Sequence, residues 1–170
     1  MTDFRRKKIR LSAANYVGQR FYFVTACCHD RVAHFSVPET ASWMVDEMQR
    51  ACMQFSFLLH AYCVMPDHIH MLVEGGAPTS NLLTFGAQFK RRTGQLWQKR
   101  HPSKLWQHRY YDHILRTKDS PEAVAWYIWL NPLRKGLCQR TDQYPFLGSF
   151  TPMKDIQKSV ALEWSPPWKA

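Results

Sequence analysis

The stretch 57–73, FLLHAYCVMPDHIHMLV, contains two mainly apolar runs separated by the turn-like Met65-Pro66-Asp67. Short apolar runs that are bounded by turn residues favour β-strands, which predicts strands at residues 57–64 and 68–73. Two strands joined by so short a connection pair as an antiparallel hairpin. The stretch therefore predicts an antiparallel sheet with this hairpin in its middle.

The sequence before the hairpin predicts one strand and one helix. Residues 20–28, RFYFVTACC, are rich in aromatic and β-branched residues, which are typical of a strand. Ser36 followed by Glu39 fits a capping box and predicts that a helix begins there. In that helix the spacing i, i+4 places three apolar residues on one stripe: Met44, Met48 and Cys52.

The sequence after the hairpin predicts two further helices with a strand between them. Thr79 or Ser80 can cap the first of these helices, whose apolar stripe contains Leu82, Phe85, Phe89 and Leu96. Residues 105–115 indicate an edge strand. The next helix begins at Pro121 and ends near Asn131, because Pro132 disfavours the α conformation in the residue before it.

The element order β-α-β-β-α-β-α predicts an α+β fold in which helices pack on one antiparallel sheet. At 170 residues the chain fits a single domain. We divide it into a basic N-terminal arm (1–19), the folded domain (20–150) and a C-terminal tail (151–170) that we expect to be peripheral.

Composition excludes several classes of protein. A chain that is 45% hydrophobic and 14% aromatic is too apolar for a disordered polycation. Its apolar runs are too short for a membrane span, and its basic start leads into no secretory signal. Five cysteines without C-x-x-C spacing favour neither a closed disulfide framework nor a zinc ribbon. We expect a protein of the cytoplasm, associated with the nucleoid.

The basic residues are clustered. Lys and Arg number 23 against 13 Asp and Glu, a formal charge of +10, and residues 75–111 contain no acid. Aromatic residues alternate with the cations there, as is common where nucleic acid binds, although a merely solvated basic face has the same charge. The predicted DNA-binding residues are Arg5, Arg6, Lys7, Lys8, Lys90, Arg91, Arg92, Lys99 and Arg100.

Two histidines alternate with apolar residues in the predicted strand 68–73. Because side chains in a strand alternate between its faces, His68 and His70 point to the same side. Two imidazoles so placed can bind one metal ion. The alternative is a pair of hydrogen-bonded, half-buried histidines on the sheet.

Tyr127 and Asn131 lie one helical turn apart and share a face of the last helix. A tyrosine there could act as a nucleophile beside a metal ligand, or it could be an amphipathic aromatic residue at the edge of the core. No G-x-S-x-G, Walker-type or H-E-x-x-H motif offers another scheme. Three of the cysteines lie inside predicted strands, which favours inert core thiols: Cys27, Cys28 and Cys63.

Several blocks, in order, resemble a known family. Residues 64–70, VMPDHIH, resemble the H-hydrophobic-H (HUH) motif of single-tyrosine transposases. Residues 105–116 (LWQHRYYDHILR) and 127–137 (YIWLNPLRKGL) are similar to blocks of the REP-associated branch of these transposases. Arg10-Leu11 and the strand 22–25 also fit that branch, so the resemblance covers residues 5–150.

The resemblance implies a ferredoxin-like or RRM-like antiparallel sheet and a site with two parts. His68 and His70 match the metal-binding histidines, Asn131 the polar residue that completes the metal site, and Tyr127 the nucleophile. The family uses a divalent ion, Mg²⁺ or Mn²⁺, and imidazole ligands favour Mn²⁺ of the two. Three neighbouring groups are possible auxiliary residues: Asp67, Asp112 and His113.

The activity implied by the resemblance is cleavage and rejoining of single-stranded DNA beside a hairpin, through a 5′-phosphotyrosine. The implied partner is single-stranded or hairpin DNA, without an obligatory protein partner. The branch favours a monomer, although a dimer is possible. Two alternatives remain: a non-catalytic protein that binds structured single-stranded DNA, and a metal-dependent phosphoesterase in which water attacks.

Overall fold

The computed structural model describes residues 11–155 and 164–167, and the arm residues Arg5, Arg6, Lys7 and Lys8 lie outside them. Within the described residues the chain forms five strands and four α-helices. The strands are β1 (Phe21–Cys27), β2 (Phe57–Met65), β3 (His68–Gly75), β4 (Tyr111–Ile114) and β5 (Leu147–Gly148). The helices are α1 (Pro38–Gln54), α2 (Leu82–Gln98), α3 (Pro121–Trp129) and α4 (Asn131–Arg134).

The strands form one sheet in the order β4-β1-β3-β2-β5, and every neighbouring pair is antiparallel. The predicted hairpin is β2–β3, and β3 occupies the centre of the sheet. The predicted α+β fold in a single domain is confirmed, with β5 as an additional short strand. No helix in the described part of the chain is both long and apolar enough to cross a bilayer.

Helices cover both faces of the sheet. On the α1/α2 face, residues such as Val24, Ile69 and Met71 pack against the apolar stripes of α1 and α2. On the opposite face, which we call the α3 face, Phe23 and Leu72 pack against α3. Alternation along β3 therefore sends the apolar residues of the HUH block to one layer and the histidines to the other.

The helix starts differ slightly from the predicted positions. The N-cap of α1 is Val37 and not Ser36, because Pro38 takes the first helical position. The N-cap of α2 is Asn81, whose side-chain oxygen accepts a hydrogen bond of 3.1 Å from the backbone N–H of Thr84. Ser80 instead donates to the carbonyl of Ser56 at 2.6 Å, so it fixes the loop before the helix.

The edge strand is shorter than the predicted 105–115. The Trp106 indole N–H donates to the hydroxyl of Thr93 at 2.8 Å, which ties the start of this stretch to α2. Only Tyr111–Ile114 pairs with β1 as a strand. The start of α3 is as predicted, since the Ser120 hydroxyl accepts a hydrogen bond from the backbone N–H of Ala123 at 3.2 Å.

Candidate active site

His68 and His70 lie side by side on β3, on the α3 face. His70 pairs with Thr25 of β1 and Cys63 of β2, so the histidine pair occupies the middle of the sheet. His68 Nε2 and His70 Nε2 are 3.2 Å apart. Both side chains are buried. The predicted shared face is therefore present, with the two Nε2 atoms directed at each other.

An ion pair holds the outer side of His68. His68 Nδ1 is 2.5 Å from Asp67 Oδ1, and Arg31 Nε is 3.1 Å from Asp67 Oδ2. A carboxylate only accepts hydrogen bonds, so Nδ1 of His68 carries the proton and Nε2 presents a lone pair in the neutral ring. Burial lowers the pKa of His68, and the Asp67 carboxylate only partly opposes this. His68 is therefore kept in the form that a metal ion needs.

Thr25 holds the outer side of His70. Its Oγ1 lies 2.8 Å from His70 Nδ1. A hydroxyl can donate or accept, so it supports either tautomer of His70. In one tautomer His70 Nε2–H donates to His68, and in the other both Nε2 atoms present lone pairs. With Thr25 as partner, His70 can therefore either donate a hydrogen bond to His68 or present a lone pair to a cation that both histidines bind.

The histidine pair fits a divalent ion. Nitrogen ligands lie ~2.0–2.1 Å from a metal such as zinc, so two neighbouring ligand nitrogens are about 3.0–3.4 Å apart, which includes the observed 3.2 Å. Within the described residues no set of three His, Cys, Asp or Glu side chains gathers around a common point. A carboxamide oxygen, substrate oxygens and water are the kinds of ligand that would complete such a site.

Replacement of Thr25 by valine tests the support of His70. The variant keeps the size of the side chain and removes the hydroxyl, so Nδ1 of His70 loses the hydrogen bond to Thr25. We expect a loss of about tenfold in Mn²⁺ affinity, measured by isothermal titration calorimetry. An unchanged affinity would show that the contact does not orient His70.

Tyr127 lies over the same face. Helix α3 packs on β2 and β3 through Val124 and Ile128. The ring of Tyr127, the residue before Ile128, therefore lies near the sheet. Its centroid is 6.2 Å from that of the His70 ring and 5.9 Å from that of the Phe23 ring. The predicted nucleophile and the predicted histidines of one chain therefore meet. The contact with Phe23 and the helix packing fix the tyrosine ring beside the pair.

Two further groups cover Tyr127, which is only 5% exposed. The Arg134 guanidinium lies 4.5 Å from the ring centroid and donates to the Tyr127 carbonyl at 3.0 Å. Burial lowers the pKa of Arg134, which still remains a cation at neutral pH. Trp164 contacts the ring edge-on at 5.1 Å, so part of the segment expected to be peripheral lies at the site.

Asn131 is buried where α3 meets α4. Its side-chain N–H group donates to the carbonyl of Tyr127 at 2.9 Å and, more weakly, to that of Ile128 at 3.4 Å. Both carbonyls belong to the last turn of α3, so the carboxamide caps that turn. Its Oδ1 accepts no hydrogen bond from the described residues, which leaves this oxygen available as a ligand.

The three possible auxiliary residues lie in different places. Asp67 bonds to His68, as described above. His113 lies on the α3 face, where its Nε2 is 3.1 Å from Asp119 Oδ2, and Asp119 also accepts a hydrogen bond of 3.3 Å from the Trp164 indole N–H. Asp112 pairs with Val24 and therefore points to the α1/α2 face, away from the histidines.

Comparison with known proteins decides the family. The profile described as "Transposase IS200 like" matches residues 17–130, about two thirds of the chain, and this range includes His68, His70 and Tyr127. The chain belongs to the IS200-like transposases. Asn131 is the residue directly after the matched range, so its place in the site depends on the structure of α3 and on the resemblance described above.

Relatives point to the REP-associated branch of these transposases. A Haemophilus influenzae protein provisionally named a REP-associated tyrosine transposase is 24% identical over 136 residues, 74% of this chain and 77% of that protein. The REP-associated tyrosine transposase of Escherichia coli K12 is 29% identical over 114 residues, 64% of this chain and 63% of that one. A solved REP-associated tyrosine transposase bound to a REP hairpin shares the fold, with a TM-score of 0.68, 16% identity and coverage of 98% and 99%.

The five predicted DNA-binding cations within the described residues of the transposase differ in their contacts. Lys90 donates to the carbonyls of Gln107 and His108 at 2.5 and 3.2 Å, so it holds the loop before β4. Arg92 pairs with the buried Glu47 at 2.8 Å. The other three, which are exposed as Arg92 is, make no ion pair with a described residue: Arg91, Lys99 and Arg100. All five lie on or next to α2, on the face of the sheet opposite the histidines.

Arg91 and Arg92 form a matched pair for mutation. Among the described residues, Arg92→Ala leaves the Glu47 carboxylate with only the longer contact to Arg50, at 3.5 Å, and we expect the Tm to fall by about 2–4 °C. Arg91→Ala removes an exposed charge, so we expect an unchanged Tm and weaker, less salt-dependent DNA binding. Thermal unfolding and fluorescence anisotropy measure the two effects. Equal effects of both substitutions on Tm would contradict this division.

Four residues of the site are absent from the sequence prediction. Thr25 could have been found from the strand alternation, because a polar residue stands there among apolar ones. Arg31 and Arg134 carry no such pattern, since only the fold brings them to Asp67 and Tyr127. Trp164 is distant in sequence from every motif, and its contact with Tyr127 is a result of tertiary structure alone.

Proposed function

We propose that this transposase cuts and rejoins single-stranded DNA beside a hairpin, with Tyr127 as nucleophile and a divalent ion at His68 and His70. The observation that carries the proposal is the position of Tyr127, whose ring lies 6.2 Å from that of His70 within one chain. A single chain thus contains both parts of the site. This supports a monomer in which Tyr127 acts beside its own histidines.

In the proposed reaction Tyr127 Oη forms a bond to phosphorus while the bond from phosphorus to the 3′ oxygen breaks. The phenol gives up its proton and the leaving 3′ oxygen gains one. The products are a 5′-phosphotyrosine and a free 3′-OH. Because the phosphodiester bond is exchanged and not hydrolysed, a 3′-OH can later attack the phosphotyrosine and join new ends.

The residues of the proposed site have different roles. A divalent ion, for which two imidazoles favour Mn²⁺ over Mg²⁺, supplies Lewis-acid polarisation of the scissile phosphate when it is bound. His68, His70 and the Asn131 oxygen would hold this ion. The Arg134 guanidinium, 4.5 Å from the Tyr127 ring, stabilises the negative charge that develops on the phenol oxygen.

The proposed substrate is a DNA hairpin with a single-stranded flank. The solved relative of the same fold is bound to a REP hairpin, and the formal charge of this chain is +10, which favours a polyanionic partner. The exposed cations of α2 lie on the other face of the sheet from the histidines. A substrate that contacts both must therefore extend around the sheet.

Labelled hairpins test the reaction. Two samples of one hairpin are prepared, the first labelled at its 5′ end and the second at its 3′ end. Each is incubated with protein and Mn²⁺, and covalent complexes are separated under denaturing conditions. A 5′-phosphotyrosine retains the DNA on the 3′ side of the cut, so only the 3′ label should move with the protein. Retention of the 5′ label would contradict the proposed polarity.

A second candidate function follows from the burial of Tyr127. Only 5% of this residue is exposed, and this one feature fits a protein that binds structured single-stranded DNA without cutting it. That candidate predicts salt-sensitive binding of the hairpin and no covalent complex with any divalent ion. The same labelled hairpins distinguish the two functions.

A further inference from the structure

A cavity of about 440 Å³ opens between the start of α1 and the end of α2, on the α1/α2 face of the sheet. Its size is that of pockets that bury small molecules, ~300–1,000 Å³. The lining combines aromatic rings with charges and is formed by Glu39, Thr40, Trp43, Leu96, Trp97, Lys99, Arg100 and His101. None of these side chains takes part in the candidate active site.

One stacked pair of rings, Trp97 and His101, forms part of the cavity wall. The buried Trp97 contacts two imidazoles, with its ring centroid 4.6 Å from that of His34, whose ring is tilted by 52°, and 3.7 Å from that of His101. The His101 ring is nearly parallel to the indole, at 13°, and His101 is exposed. A short stack therefore ends on a ring that faces solvent. Trp43, half-buried, has no ring contact with another described residue.

The charges of the lining favour a nucleotide over a simple anion. Lys99 and Arg100 make no ion pair with another described residue, so they can bind a phosphate. Glu39 adds a carboxylate, which disfavours a free anion but accepts hydrogen bonds from the exocyclic amino group of a base. A flat ring, a phosphate and an amino group occur together in a nucleotide.

The cavity lies at the end of the sheet that carries His68. The backbone N–H of Phe35, next to His34, donates to the carbonyl of Pro66 at 2.9 Å, and Pro66 belongs to the turn that leads into β3. A DNA strand that passes over this end of the sheet can reach both the cavity and the histidine pair.

We infer that the cavity binds one unpaired nucleotide of the DNA substrate, with its base stacked on His101 and its phosphate at Lys99 and Arg100. This inference rests on the proposed function for the identity of the nucleic acid.

Two hairpins and three variants test the inference. One hairpin is blunt, the other carries a single-stranded extension, and affinities are measured by fluorescence anisotropy in EDTA, where strand cleavage plays no part. We expect the wild type to prefer the extended hairpin and His101→Ala to lose about five- to tenfold for it alone. His101→Phe keeps a ring and should retain the affinity. His108→Ala, an exposed histidine outside the cavity, should bind both hairpins as the wild type does.

Three outcomes would overturn the inference. These are no preference of the wild type for the extended hairpin, a wild-type affinity of His101→Ala, or an equal loss for both hairpins. Because the measurement needs no catalysis, a protein that binds as expected but forms no covalent complex refutes only the proposed reaction. A protein that forms the complex but is insensitive to His101→Ala refutes only the nucleotide site.

Discussion

We expect the Tyr127→Phe variant to form no covalent complex with hairpin DNA, and the wild type to form one. The substitution removes the oxygen that we propose as the nucleophile and keeps the ring, whose centroid lies 5.9 Å from that of Phe23 and 6.2 Å from that of His70. The fold should therefore be unchanged, and the yield of complex should fall by more than about 1,000-fold. Denaturing electrophoresis of labelled DNA with each protein measures the yield.

Tyr111→Phe is the matched control. Tyr111 also lies on the α3 face, in β4, with its ring 6.3 Å from that of Phe23. Burial raises the pKa of Tyr111 to about 12, which makes its hydroxyl a poor nucleophile. The control should form the complex at the level of the wild type. If Tyr127→Phe formed the complex and Tyr111→Phe did not, the assignment of the nucleophile would be wrong.

We expect the double variant His68→Asn/His70→Asn to lose metal binding together with strand cleavage. An ion at about 100 times its Kd stabilises a folded protein by ~2.7 kcal/mol, which corresponds to about 5–11 °C in Tm for a chain of this length. We expect such a shift with Mn²⁺ for the wild type and none for the variant. Cleavage should fall by at least about 100-fold. Differential scanning fluorimetry with and without Mn²⁺ measures the shift.

His60→Asn controls for unspecific binding to histidine. His60 is also a buried histidine, but it bonds to Glu74 at 2.8 Å and Thr151 at 3.0 Å, beside the far end of β3. This variant should keep the full Mn²⁺ shift, whatever its Tm without metal. A shift that persists in the His68/His70 variant, or one that disappears with His60, would place the ion elsewhere.

Local sequence signals predicted most of the fold because they coincide with tertiary packing. The alternation in 68–73 placed Ile69 and Met71 in one layer and the histidines in the other, as the structure has them. The stripe of α1 is buried as predicted at Met44 and Met48. In these elements the period of the apolar residues and the burial agree.

The prediction was less accurate where long-range contacts compete with local preference. The edge strand is short because the indole of Trp106 bonds to Thr93 of α2. Lys90 and Arg92 belong to the basic stretch, yet tertiary contacts direct them to backbone carbonyls and to Glu47. Charge counted along the sequence does not show which cations already have a partner in the fold.

In the candidate site, too, local spacing was predictable and tertiary contacts were not. Tyr127 and Asn131 were predicted to share a face because helical spacing is a local property. The approach of Tyr127 to the histidine strand, and its cover by Arg134 and Trp164, depend on how α3 and the segment 164–167 pack on the sheet. The chemistry of the individual residues was thus accessible from sequence, and their surroundings required the structure.

Mass spectrometry of the covalent complex tests the assignment of Tyr127 most directly. After digestion with nuclease and trypsin, the peptide 119–134 contains Tyr127 as its single tyrosine, and the peptide 110–116 contains Tyr110 and Tyr111. We predict that the mass of the peptide 119–134 increases by that of the attached nucleotide, with fragment ions that place it on Tyr127. A nucleotide on the peptide 110–116, or on no tyrosine peptide at all, would contradict the proposed mechanism.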